Sequence, residues 1–339
     1  MKEDIIKMEH GAGGELMEGL INSSILDNLR NNSAGGIGLE ELDDGGTIPL
    51  GDRHLVFTTD SHVVKPLFFP GGNIGKLAVS GTINDLSVMG AKPLALTCSL
   101  VIEEGFSVEK LDEIISSMNE VSENSDVPII TGDTKVLAKE ELDDVVINTA
   151  GIGITKQPIS DCNLKEGDKL VLNGSIGDHG LSIMSFREGF TFESNLESDV
   201  QPLNKLIREC LDTGGVRAMK DPTRGGLANT LNEMASKSDK GILIEEEKIP
   251  INKGVRSAGD ILGIDPLEVA NEGKVVMVIE NGFEDEIIEI MNNYCSNNCE
   301  PAVIGEVIDE EKGNVVLKTE VGGKRYVEAP VGDPVPRVC

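Results

Sequence analysis

Leu55-Val56-Phe57-Thr58-Thr59, the loop Pro66-Leu67-Phe68-Phe69-Pro70-Gly71-Gly72, and the run from Ile74 to Met89 form the stretch on which the fold turns. The first piece, β-branched and aromatic, reads as a strand. The second is a Pro/Gly loop, and the third is a helix that Gly90 stops. Working outward, Leu94–Val101 predicts another strand. Ser107 then caps a helix with Leu111, Ile114, Ile115 and Met118 on one face. Val127–Ile130 and Val145–Ile154 read as further strands. Upstream, glycines 11, 13 and 14 precede a helix with Met17, Leu20, Ile21 and Ile25 at spacings of three and four, and Asn31–Gly38 is a polar turn region. The second half repeats the alternation. Strands are expected at Lys169–Leu172, Ile242–Glu245, Lys274–Ile279, Ala302–Val307 and Val315–Lys318. Helices are expected at Ile176–Phe186, Val200–Leu211, Gly226–Ala235 and Glu284–Asn292. The pattern is α/β (α+β) in two domains: a Gly-rich segment and helix over 1–40, domains over 41–155 and 156–325, and a tail over 326–339.

A length of 339 residues fits two domains. Thirty Lys+Arg against 59 Asp+Glu leave a net charge of −29, which argues against nucleic acid or an anionic membrane as main partner. Any phosphate substrate then needs local cations, metal ions or backbone N–H groups. The apolar runs, such as Val275–Ile279, are strand-sized, and Met1-Lys2-Glu3-Asp4 does not open a signal peptide. Six scattered cysteines are no disulfide scaffold, so a cytoplasmic location is expected.

Familiar nucleotide motifs fail. Gly71-Gly72-Asn73-Ile74-Gly75-Lys76-Leu77 has one residue too few for a P-loop and no Ser or Thr after Lys76. His10-Gly11-Ala12-Gly13-Gly14-Glu15 lacks the dinucleotide spacing. What remains is a set of acids at element ends: Asp43-Asp44 before the first strand, Asp60 closing it, Asp133 after a strand, and Asp221 opening Asp-Pro-Thr-Arg-Gly-Gly. Such carboxylates face ligand crevices and together can hold Mg2+, though Asp also caps turns and helix starts. Asp85, beside Asn84 in an apolar helix, needs a partner. Cys295-x-x-x-Cys299 is one metal-like pair with no second pair near it. Cys339 ends a Pro-rich arm with Arg337 close by, a placement that favours a mobile, reactive thiol.

These motifs resemble the HypE family of hydrogenase maturation proteins. The likeness rests on Asp60-Ser61-His62-Val63-Val64 with Pro66–Gly72, Gly81-Thr82-Ile83-Asn84-Asp85-Leu86 and Thr131-Gly132-Asp133-Thr134-Lys135-Val136. It rests also on Asp221–Gly226, Asn271-Glu272-Gly273 and the terminal Pro336-Arg337-Val338-Cys339. It runs from about His10 to Cys339, and the ending is its most specific part. The resemblance implies an aminoimidazole-ribotide-synthetase-like (PurM-like) fold whose N-terminal domains pair in a homodimer. It implies that Cys339 is S-carbamoylated by the carbamoyltransferase HypF. ATP with Mg2+ then dehydrates the group to S-cyanate, and the cyano ligand passes to iron on a HypC–HypD complex for a [NiFe]-hydrogenase. On the family's pattern, Asp60, Asn84, Asp85, Asp133 and Asp221 would bind ATP, and Asp44, Asp60, Asp85 and Asp221 the metal. Glu272 would be the base and Lys135 its partner on the carbamoyl group. Two other readings stand beside it. One is a selenophosphate-synthetase-like enzyme, which usually has a Cys near the N-terminus where residues 1–97 here have none. The other is a carrier that merely presents Cys339.

Overall fold

The computed structural model describes all residues except 1–4, 12, 191–195, 296–298, 331, 333, 334, 336 and 339. Helix α1 (Gly14–Leu20) runs on through a π-turn at Ile21–Leu26. Its Met17 and Ile21 line a cleft between the two halves of the molecule, while Ile25 is exposed. The apolar stripe read from the sequence is therefore the wall of a site and not part of a core.

The N-terminal half builds β1 (Gly46–Leu50), β2 (Arg53–His62), a small hairpin β3 (Phe68–Phe69) and β4 (Gly72–Asn73), and α2 (Ile74–Val88). These are followed by β5 (Lys92–Glu103), α3 (Val108–Ser125), β6 (Ile129–Leu137) and β7 (Val145–Thr155). The sheet order is β1-β2-β7-β5-β6, and only β5 and β6 run parallel, joined by α3 as a parallel pair requires. Asn73 starts α2 by accepting the N–H groups of Gly75 and Lys76 at 2.9 and 3.0 Å. Gly90, at φ 73°, carries the chain out of it. All of α2 except Lys76 and Asp85 is buried. A helix buried all round sits at the centre of a molecule. It packs on β2 and β7, on α3, and on α5 (Asn204–Asp212) of the second half.

Two expectations need correction here. The face of α3 is Leu111, Ile114, Met118 and Val121, because Ile115 turns out to solvent. The strand expected to end at Ile130 continues to Leu137, with Asp133 opposite Ser99 and Lys135 opposite Val101. As an edge strand, β6 is held by backbone pairing and needs no apolar run, so its polar stretch disguised it.

The second half contains β8 (Lys169–Leu172), α4 (Asp178–Arg187), α5 (Asn204–Asp212), β9 (Val216–Lys220), α6 (Gly226–Ser238) and β10 (Gly241–Glu245). It continues with α7 (Lys253–Leu262), β11 (Val276–Ile279), α8 (Glu284–Tyr294), β12 (Ala302–Ile308), β13 (Val315–Lys318) and β14 (Lys324–Val327). Its sheet order is β14-β13-β10-β12-β8-β11-β9. Alternation along β11 divides two cores: Val276 and Val278 face α6, while Met277 and Ile279 face α5 and α8. The short or mixed-polarity elements β1, β9, β14 and α7 were not expected from the sequence. Cys295 and Cys299 join to each other in a disulfide. One apolar cluster bridges the halves, with Val64 and Phe69 against Leu181, Val200 and Val269, and it takes in Val335 and Val338 of the tail.

Candidate functional site

The cleft between the halves has a volume of about 1050 Å³. Met17, Ile21, Leu39, Ile48 and Phe57 line one part. Asp43, Asp44, Asp60, Asp85, Asp221 and Glu272 line the other, with Lys220 and Arg224. Each acid is delivered by a defined element. Strand β2 brings Asp60, and also Thr58, whose hydroxyl donates to Asp85 Oδ2 at 2.8 Å. This is the partner that an acid inside α2 demanded. Asp221 follows β9, and the turn after it is closed by Gly226 N–H donating to Thr223 O at 2.9 Å. Gly226 has φ 61°, and a Cβ there would lie 2.6 Å from the carbonyls of Leu267 and Val269, so only glycine fits. Asn271 ties the Asp221 loop to Glu272. Its backbone and side-chain N–H groups both donate to Pro222 O at 3.0 Å.

The backbone of Glu272 is clamped on both sides. Its N–H donates to Asp199 Oδ1 at 3.1 Å, and its carbonyl accepts from Gln201 N and Asn84 Nδ2 at 3.4 Å. Next to it, a Cβ on Gly273 would stand 1.9 Å from Asp199 O, so the two segments touch backbone to backbone. The Glu272 side chain is buried, and its Oε1 has no hydrogen-bond partner.

Crowded acids raise one another's proton affinity. Burial, then Asp44, push the Asp221 carboxyl up to about 7. Burial, then Asp161 and Asp44, push Asp43 to about 6. Burial and then Asp221 lift both Asp85 and Glu272 well above the usual carboxylate range, and Arg224 opposes this at Glu272. Lys220 is the internal counter-charge. Burial disfavours its ammonium, but Asp44, Glu233 and Asp161 outweigh that and hold it charged. Its Nζ lies 2.6 Å from Asp44, 3.4 Å from Asp161 and 3.5 Å from Glu233. Lys237 adds a second bridge, 2.7 Å from Asp161 and donating to Leu42 O.

The donor set fits a divalent cation. Asp44 Oδ2 is a buried oxygen of the cleft lining without a hydrogen-bond partner, and Asp60, Asp85 and Asp221 lie close enough to it for these carboxylates to act on one another. Among the described residues no three His, Cys, Asp or Glu side chains already form a metal cage. Mg2+ needs none, since one or two carboxylates plus phosphate oxygens and waters suffice.

The expected residues divide three ways. Asp44, Asp60, Asp85, Asp221 and Glu272 meet in the cleft. Asn84 does not line it. It spans the seam, donating to Gln201 O at 3.1 Å and accepting from Leu203 N at 2.8 Å. Asp133 and Lys135 pair with each other at 2.7 Å on exposed β6, away from the cleft. They lie within a strand and not after one. Cys339 lies outside the described residues. Sequence reasoning missed Lys220, Arg224, Asp161 and Glu233; the signal for the first two was their place beside and within Asp-Pro-Thr-Arg-Gly-Gly.

Comparison with known proteins fits this geometry. Residues 42–155 match the N-terminal domain, and residues 165–318 the C-terminal domain, of AIR synthase related protein. A hydrogenase expression/formation protein of Methanocaldococcus jannaschii is 56% identical, covering 97% of this chain and 98% of its own. Carbamoyl dehydratase HypE of Azotobacter vinelandii is 40% identical over 100% of this chain and 98% of its own. The chain belongs to the HypE family. Two solved structures of the family superpose closely. One, a HypE–HypF complex, gives a TM-score of 0.84 at 42% identity, covering 94% of this chain and all of that one. The other, HypE in complex with ATP, gives 0.80 at 35% identity, covering 99% and all. The AIR-synthase-like two-domain architecture expected from the sequence is therefore the one present.

Proposed function

We propose that this chain is an ATP-dependent carbamoyl dehydratase acting on its own C-terminal Cys339 in hydrogenase maturation. The observation that carries the reading is the convergence of Asp44, Asp60, Asp85, Asp221 and Glu272 in one cleft of a chain of the HypE family. The apolar part of the cleft, Met17, Ile21 and Phe57, suits a purine base, and the acidic part suits a magnesium triphosphate.

An amide oxygen is a poor leaving group, so the carbamoyl oxygen must first take the γ-phosphoryl of ATP. Carbon–oxygen cleavage then releases phosphate, both N–H protons are lost, and the C≡N bond forms on sulfur. Glu272 is the base for that proton removal, since its raised proton affinity makes it a stronger base than an exposed carboxylate. Asp44, Asp60, Asp85 and Asp221 would hold Mg2+, which when bound supplies positive charge to the transferring phosphoryl group. Arg224 and Lys220 add fixed positive charge at the same end.

Lys135 sits on β6, three strands from β2 in the sheet order, or roughly 14 Å at the usual strand spacing. It serves a cleft only across a homodimer, where a second copy presents it. Leu50, Leu94, Ile130 and Val136 on the N-terminal sheet are exposed apolar side chains, which supports such pairing. Asp133 travels with Lys135, and Asn84 holds the cleft's two walls in register. The partners are a HypF-type carbamoyltransferase and a HypC–HypD-type iron carrier. The cytoplasm suits these partners, and among the described residues no helix is long and apolar enough to cross a membrane.

The test is the mass of the tail peptide after incubation with ATP, Mg2+, carbamoyl phosphate and the carbamoyltransferase. The expected product on Cys339 has gained a carbamoyl group and then lost one water. A tail that is carbamoylated and never dehydrates would leave only the carrier reading.

A further inference from the structure

The tail is not loose along its described residues. Val335 and Val338 are 2% and 4% exposed, inside the apolar cluster that joins the two halves. The Val338 carbonyl lies 2.7 Å from His179 Nε2. A carbonyl only accepts, so the ring carries its proton on Nε2. Nδ1, 2.7 Å from Ser198 Oγ, then accepts the serine proton, and Ser198 Oγ in turn accepts the Val200 N–H at 3.1 Å. The ring is fully buried, with the edge of Phe69 against it at 5.5 Å. Burial keeps it neutral, only partly opposed by Asp199 and the Val338 bond.

One residue back, the Arg337 carbonyl accepts from Lys65 N–H at 3.1 Å and from the Arg187 guanidinium. The Arg337 side chain donates to Asp143 at 2.6 Å. Arg337 has φ 59°, the left-handed region that a residue with a Cβ keeps only where its surroundings impose it.

The seat is tied to the Glu272 segment by three hydrogen bonds, each donated by a backbone N–H. Gly180 N–H donates to Ala270 O at 3.1 Å and Gly177 N–H to Asn271 Oδ1 at 2.7 Å. Asp199, next to Ser198, accepts the Glu272 N–H at 3.1 Å. Holding the Val338 carbonyl leaves a single residue, about 3.6 Å of chain, to the terminal thiol.

We propose that His179 is a positioning residue for the tail: its Nε2–H latches the Val338 carbonyl and holds the tail at Val338 on a seat hydrogen-bonded to the segment that carries Glu272. The step served by the latch rests on the dehydratase reading, but the latch itself does not. Release from His179 and from the Arg187–Asp143 clasp is then what a loading enzyme must bring about.

The test is the rate at which iodoacetamide alkylates Cys339 in the intact protein, read as the mass of the tail peptide. The latched wild-type thiol should react slowly. His179→Ala should speed the reaction roughly three- to tenfold, the range for loss of one neutral hydrogen bond. His179→Gln, which keeps an N–H donor, should recover part of the protection. Val338→Ser loosens the tail's packing in the apolar cluster without altering His179, so it decides the matter should His179→Ala fail to fold. In single turnover, His179→Ala should slow water loss from the carbamoylated tail while Mg–ATP affinity stays unchanged. Equal alkylation rates in the wild type, His179→Ala and Val338→Ser would overturn the latch. A protected wild-type tail that never loses water would leave the latch standing and remove the dehydratase reading instead.

Discussion

Glu272 and Asp85 share the same cleft and the same cause of raised proton affinity, yet substitution separates their roles. Glu272→Gln keeps the shape and the clamped backbone but removes the proposed base. It should bind Mg–ATP normally and accept the carbamoyl group. It should then lose water about 10²–10⁴-fold more slowly, the usual contribution of general base catalysis. Single-turnover mass analysis of the tail checks this, and wild-type speed would take Glu272 out of the mechanism. Asp85→Asn keeps an acceptor for Thr58 and deletes a charge crowded by Asp221, Asp60 and Asp44. We expect the ligand-free protein to be at least as stable as wild type and Mg–ATP binding to weaken by about 1.5–3 kcal/mol, the range for hydrogen bonds to charged groups. Paired thermal denaturation and titration calorimetry read both effects, and unchanged Mg–ATP affinity would count against Asp85 as a ligand.

At the scale of elements, α2 explains both what the sequence disclosed and what it hid. Its extent from Ile74, its stop at Gly90 and its misplaced acid were all readable, because a glycine stop and burial of charge are local rules. That Asn84 faces the other domain was not readable, since adjacent residues on a helix point about 100° apart and the chain does not say what each side meets. Strand β6 failed for the reverse reason. Thr131–Lys135 has no apolar pattern, and its place was set by pairing with β5 and not by burial. Lys220 likewise looked like a surface lysine until β9 brought it against three carboxylates. The seam role of Asn84 makes a separate prediction. Asn84→Ala leaves the buried Leu203 N–H without its acceptor and removes the donor to the Gln201 and Glu272 carbonyls. Stability should fall by about 2–4 kcal/mol by urea denaturation, as expected when more than one buried polar group loses its partner. A change below about 0.5 kcal/mol, the range of ordinary surface substitutions, would show that the seam is held by its apolar cluster alone.

For the whole molecule, the strained acids link stability to pH. Asp43 and Asp221 hold protons to about 6 and about 7 when folded, well above an unfolded carboxyl. The folded chain therefore binds more protons than the unfolded one between roughly pH 4 and pH 7, so stability falls as pH rises through that window. Mg2+ should remove most of the fall, because it binds the ionised form, and Asp221→Asn should flatten it without metal. Melting temperatures across pH, with and without Mg2+, check the sign, and a curve that rises through the window contradicts it. The proposed homodimer makes the last prediction. Lys135 lies on an exposed edge strand far from its own cleft, and Glu272 lies inside that cleft. If Lys135 serves the second copy's cleft, Lys135→Ala and Glu272→Gln subunits complement each other. Each mixed dimer then has one cleft with an intact Glu272 facing an intact Lys135, and one cleft lacking both. Equal mixing with free exchange of subunits gives about half mixed dimers, hence recovery of about one-quarter of wild-type dehydration from two inactive parents. If Lys135 served its own cleft, every cleft in the mixture would carry one lesion and no recovery would appear.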